Sequence, residues 1–284
     1  MCRGKNICSE LGTDINAWSK GSPLPKPEWM NNEVDLFINA VEAFTAGNKK
    51  LCLEIISQIR SDEITEWYIE HGQMSGRHRK LQLNITPPET IDISLRDPVR
   101  SPAKIQKKVF ERDAYHCRYC GGKLITQEFL RTFIKSLNSP LFSRGETNLS
   151  THGIIHITWP VADHVIPWNK GGRTSLYNLV SSCAPCNYGK DGYTIEQLGI
   201  ADPFERSAKN SHWDGFNNKI DYSRNLYNNH VNKLCNIDFN LVHDDLQSSD
   251  YYFNQLNENI NLKRKLVSNR NLNELAYYSE GFNY

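Results

Sequence analysis

The chain runs to 284 residues, room for about two domains at a typical ~150 residues each. With 39% hydrophobic and 23% charged residues it is not a wholly disordered chain, and no apolar run approaches the roughly 18 residues that a helical membrane span needs. Its net charge of +1 hides an asymmetry: −3 over residues 1–98, +7 over 99–195 and −3 over 196–284. A basic centre between acidic arms suits a polyanion-facing middle, and equally a solvated basic surface. The opening residues MCRGKNICSELG lack the apolar run of a secretory leader, so a cytoplasmic protein with reduced cysteines is expected.

In chain order, Pro23, Pro25 and Pro27 predict an irregular entry. Val34, Phe37, Ile38, Val41 and Phe44 then recur at helical spacing, and Gly47-Asn48 marks a turn. Leu51, Cys52, Ile55, Ile56 and Ile59 predict a second helix. Ser61 stands where a cap would start a third through Ile64, Trp67, Tyr68 and His71 to Gly72. A small helical module followed by a linker, marked by Thr86-Pro87-Pro88 and Asp97-Pro98, thus occupies 1–98. Ser101-Pro102 predicts a further helix start, with Lys104, Lys107, Lys108 and Arg112 along it. Residues 201–284 form an extension of mostly helical or irregular character, with 17 Asn between 210 and 284 and a loose apolar series Leu256, Ile260, Leu266.

Chemistry concentrates between these arms. Cys117-Arg118-Tyr119-Cys120 and Cys183-Ala184-Pro185-Cys186 are two C-x-x-C turns, and two such turns complete a tetrahedral four-sulfur zinc site. Four thiolates leave no open coordination position, so this zinc is expected to be structural. The 62 residues between the pairs exceed a zinc-ribbon gap and imply an inserted unit, 126–159. His152 and His156 lie in it four apart, but Gly153-Ile154-Ile155 is poor helix material and the two read as ordinary histidines. Val161, Val165 and Ile166 predict a strand carrying Asp163 and His164, adjacent and therefore on opposite faces unless the chain bends. Ser175–Val180 predicts a second strand.

The run Asp163-His164-Val165-Ile166-Pro167-Trp168-Asn169-Lys170-Gly171-Gly172, then Asn178-Leu179-Val180, then Cys183-Ala184-Pro185-Cys186-Asn187-Tyr188-Gly189-Lys190, resembles an HNH nuclease of the zinc-bearing branch. The segment from Val109 to Gly122, with Glu111-Arg112-Asp113 before the first cysteine pair, matches how that branch opens. The resemblance covers residues 104–192. It implies an α+β fold with a ββα-metal core stapled by zinc, here spanning 99–200 with its insertion.

The resemblance also implies roles. His164 corresponds to the general base, Asp163 to the carboxylate on a catalytic cation, Asn178 to the asparagine that fixes the inter-strand loop, and Asn187 to the second cation ligand, making an H-N-N variant. A carboxylate and an amide oxygen are hard donors, so magnesium suits them. Asp191 lies four residues further on and within conceivable reach of the ion. Lys170, Arg173, Lys190 and the Lys104–Arg112 series are candidate phosphate contacts. The implied activity is metal-dependent DNA cleavage in restriction or phage defence, beside a partner ATPase or sensor protein. The alternative is an inactive zinc-stapled binding module for nucleic acid or protein.

Overall fold

Phe37, Ala40, Val41 and Phe44 line one side of α1 (Trp29–Thr45), and that side is sealed from solvent. In the computed structural model, which describes residues 22–24, 26–72, 90–206, 212–222 and 225, this face meets the insertion. Phe37 stacks on Phe142 with centroids 4.7 Å apart, and Phe133 stands edge-on to Phe37 and Phe44 at 5.6 and 5.1 Å. Such aromatic pairs contribute beyond their buried area.

Gly47, at φ +82°, turns the chain into α2 (Lys49–Ile56), whose first turn Asn48 caps by accepting from the Leu51 amide at 3.0 Å. In α3 (Ser61–Trp67) the expected cap is absent. Arg60 occupies the cap position, and the Ser61 hydroxyl instead accepts from the Gly153 amide at 2.9 Å, 92 residues away. The helix then loosens into one π turn over Tyr68–Gly72.

The basic helix also starts later than Pro102. The Pro102 carbonyl closes a turn with the amides of Ile105 and Gln106, and α4 runs Gln106–Arg112. In the insertion, Thr126 caps α5 (Gln127–Leu137), which ends on Asn138 in the left-handed region. Next, α6 (Gly153–Thr158) forms where helix was not expected. All six of its residues are buried, so packing overrides their weak propensity.

Strands β1 (Pro160–His164) and β2 (Leu179–Cys183) pair antiparallel, with Asp163 opposite Val180 and His164 opposite Leu179. β2 begins four residues beyond the expected start, because Ser175 to Asn178 form a turn in which the Ser175 carbonyl takes the amides of Asn178 and Leu179. It runs directly into α7 (Ala184–Lys190), and Pro185 sits in that helix's first turn, where its missing N–H is harmless. A further short helix, α8 (Ile195–Leu198), carries a capping box from Thr194 and Gln197.

The molecule is therefore α+β, with a ββα unit at its centre. Val109, Phe110, Tyr115, Leu124, Val165, Leu179 and Val180 build one core with Cys117, Cys183 and Cys186. Residues 212–222 close over it: Trp213 donates to the Leu124 carbonyl at 2.9 Å, and Lys219 pairs with Glu42 at 2.8 Å. Thr86-Pro87-Pro88 and the Leu256, Ile260, Leu266 series lie outside the described residues. Among the described residues no helix is long and apolar enough to cross a membrane.

Candidate metal centre and hairpin site

The sulfur atoms of Cys117, Cys120, Cys183 and Cys186 all lie within 4.8 Å of one another, a set able to hold one metal ion. The first pair sits on a knuckle closed by Cys117 donating to the Gly122 carbonyl and Gly121 donating to the Cys117 carbonyl, both at 2.8 Å. Gly121 takes φ +72°, which a side chain would resist. The second pair sits at the β2–α7 junction. Burial pushes the thiols of Cys183 and Cys186 well up, because four bare thiolates cannot share a dry site without a cation between them. Lys26 lies alongside. Burial opposes its charge, but the neighbouring sulfurs, Cys120 foremost, overcome this and hold the ammonium well above the usual lysine value.

The loop joining the strands is tied by Asn178. Its side-chain oxygen accepts from the Ile166 amide at 2.9 Å, and its nitrogen donates to the carbonyls of Ile166 and Arg173, both at 3.0 Å. Gly172 is required beside it, since a Cβ there would come within 1.8 Å of the Ile166 carbonyl oxygen.

Asp163 and His164 leave β1 in different directions. Asp163 is buried, and its Oδ2 accepts from the Tyr119 hydroxyl at 2.7 Å and faces the Lys190 ammonium at 3.4 Å. Its Oδ1 has no hydrogen-bond partner among the described residues and is not sealed from solvent. Asn187, half-buried on α7, likewise makes no side-chain hydrogen bond among the described residues. One carboxylate oxygen and one amide thus stay free, and both are hard donors of the kind a small divalent cation prefers.

The ring of His164 lies toward the loop, with Nε2 2.9 Å from the Thr174 hydroxyl. Burial holds the imidazole below its ordinary value of 6.5. Lys190 and Arg100 push the same way, against Asp163 and Asp97. A shift in this direction favours the neutral ring at pH 7, the form able to accept a proton.

Of the expected phosphate contacts, Lys190 is not at the surface, and the exposed Arg112 has its guanidinium already engaged. Lys190 is 1% exposed, and its ammonium donates to the His164 carbonyl at 2.7 Å while facing Asp163. Its charge compensates a buried carboxylate instead of reaching solvent. Arg112 gives its guanidinium to Asp113 and to the carbonyls of Leu176 and Leu179. Arg173 is exposed, Lys170 half-buried, and Asp191 lies exposed past the end of α7.

The sequence reading missed residues 91–100. They cross the loop: Ile91 donates to the Asn169 carbonyl at 3.0 Å, Trp168 donates to the Asp97 carbonyl at 2.8 Å, and the guanidiniums of Arg96 and Arg100 lie over the Trp168 ring at 5.0 and 5.3 Å. Asp97-Pro98 reads only as a linker in sequence, and no local pattern signals this contact. Residues 160–191 match the family model described as HNH endonuclease. No curated protein and no solved structure matches the chain.

Proposed function

Since the chain carries an HNH endonuclease domain over residues 160–191 beside a four-cysteine cluster able to bind zinc, we propose that it is a metal-dependent endonuclease acting on DNA. His164 serves as general base. It takes a proton from water as the water oxygen bonds to phosphorus; the P–O3′ bond breaks, the departing O3′ takes a proton from solvent, and 5′-phosphate and 3′-hydroxyl ends result. Asp163 and Asn187 would hold a divalent cation such as magnesium, which when bound would supply charge neutralisation at the phosphate and at the departing oxygen. Asn178 keeps the loop in place, and Lys170 and Arg173 meet backbone phosphates.

The observation that carries this reading is a half-buried imidazole, pushed by burial below its ordinary value, on the same strand as a carboxylate with one free oxygen. Restriction or phage defence beside a partner ATPase or sensor, in the cytoplasm, is the setting that best suits a nuclease core between acidic arms. A zinc-stapled binding module without activity is the second reading. It draws on the interior partners that Tyr119 and Lys190 give to Asp163.

Cleavage of supercoiled plasmid with magnesium separates the two. His164→Ala is expected to lower the rate about 10²–10⁴-fold while DNA binding persists. Equal cleavage by both proteins would remove His164 from the mechanism. DNA binding by the wild type with no cleavage, across substrates and divalent ions, would establish the module.

A further inference from the structure

We propose that Thr174, held by residues 97–99, is a positioning residue that fixes His164 as the Nε2–H tautomer and leaves Nδ1 as its basic nitrogen. The reading rests on His164 being the base proposed above. A threonine hydroxyl has a single proton. Thr174 gives that proton to the Val99 carbonyl in a short hydrogen bond, with the Arg100 carbonyl further off at 3.4 Å. Toward His164 the same oxygen can therefore only accept, and the 2.9 Å contact places a proton on Nε2. The lone pair of the neutral ring then resides on Nδ1, which makes no hydrogen bond among the described residues.

Asp97 holds both ends of this relay. Its Oδ2 accepts from the Thr174 amide at 2.8 Å and its Oδ1 from the Val99 amide at 2.8 Å. One carboxylate thus sets the residue that supplies the hydroxyl and the residue whose carbonyl takes its proton. These two backbone amides keep the Asp97 carboxyl below the usual range. Trp168, through its bond to the Asp97 carbonyl, fastens the arrangement to the hairpin loop. The segment before the nuclease core is in this sense a working wall of the site: without it, Thr174 would be free to donate to His164 and reverse the tautomer.

The tautomer is readable without substrate. Two-bond ¹H–¹⁵N correlation spectra of the full-length, zinc-loaded chain, recorded at about pH 8 where the ring is neutral, distinguish a proton on Nε2 from one on Nδ1. The wild type is expected to show His164 protonated at Nε2. Thr174→Val, nearly equal in shape, is expected to give a tautomer mixture, and Thr174→Ser to restore the wild-type pattern. In plasmid cleavage, Thr174→Val should lower kcat by about 10- to 100-fold with KM little changed, and Thr174→Ser should recover most of the rate.

Zinc content and thermal melting of each variant show whether the fold is intact. Should the valine variant fail to fold, the wild-type and serine spectra still decide the tautomer. A wild-type ring protonated at Nδ1, or a folded valine variant with unchanged tautomer and kcat, overturns the proposal. If His164→Ala cleaves normally while the tautomer is as expected, the assignment of the base fails and the hydrogen-bond relay stands.

Discussion

The carboxylate of Asp113, 2% exposed, accepts from the Ser181 amide at 2.7 Å and from the Arg112 guanidinium at 2.8 and 2.9 Å. Arg112 in turn holds the carbonyls on either side of Asn178, so two adjacent residues on α4 and its end fasten both the loop and β2. Asp113→Ala leaves the Ser181 amide unpaired in the core and the guanidinium half-compensated. The expected loss is about 2–4 kcal/mol in urea unfolding, below that of a fully buried pair because Arg112 keeps 34% of its exposure. A change under about 1 kcal/mol would mean that the cysteine cluster and apolar contacts alone hold the hairpin. In sequence, Asp113 reads only as part of an opening motif, and Arg112 as a surface cation. The distant partners of the two residues lie 64 to 68 positions away, and no local spacing encodes them. The cysteines differ: each C-x-x-C turn carries half of its geometry locally, so the ligand set is legible before any fold is known.

At the scale of elements, α6 shows why a helix can form against its own propensity. Gly153 sits where a Cβ would come within 2.5 Å of the Ser61 carbonyl oxygen, so the poor helix former is the residue that lets α3 and α6 approach. His152 caps α6 by accepting from the Ile154 amide at 3.3 Å through Nδ1. His156 stacks on Tyr68 at 4.3 Å and bonds the Asn148 carbonyl. Burial pushes His152 down from 6.5 to about 4, with His156 adding to the effect, so the folded ring stays neutral while the unfolded one gains a proton. Stability contributed this way is present above about pH 6.5 and is lost as pH falls toward about 4. Urea midpoints should show a loss of about 2 kcal/mol between about pH 7.5 and about pH 5, and His152→Gln should flatten that dependence. An unchanged slope in the variant would place the acid sensitivity elsewhere. The periodic apolar faces of α1 and α2 were legible because burial there follows helical spacing. α6 was not, because a fully buried six-residue segment has no polar face to reveal its period.

For the whole molecule, the cysteine cluster joins elements far apart in the chain: a knuckle at 117–122, the end of β2 and the start of α7, all within the core that contains Val109 and Leu179. Without an ion in the cluster, the buried thiols share no cation. Chelation is therefore expected to lower the melting temperature by at least about 10 °C and to abolish plasmid cleavage together with the folded near-ultraviolet signal. An unchanged melt after verified metal loss would show that apolar packing suffices. By itself the sequence determined the four-cysteine cluster and the ββα order of the central unit, because each is written in short-range spacing or in a motif of fixed order. Only the tertiary structure decided that Lys190 turns inward to Asp163, that α1 packs its aromatic face on the insertion, and that residues 91–100 reach His164 through Thr174. These contacts join residues 10 to more than 100 positions apart. They follow from which surfaces must exclude water and which buried polar atoms must find partners, conditions that exist only once the chain has closed on itself.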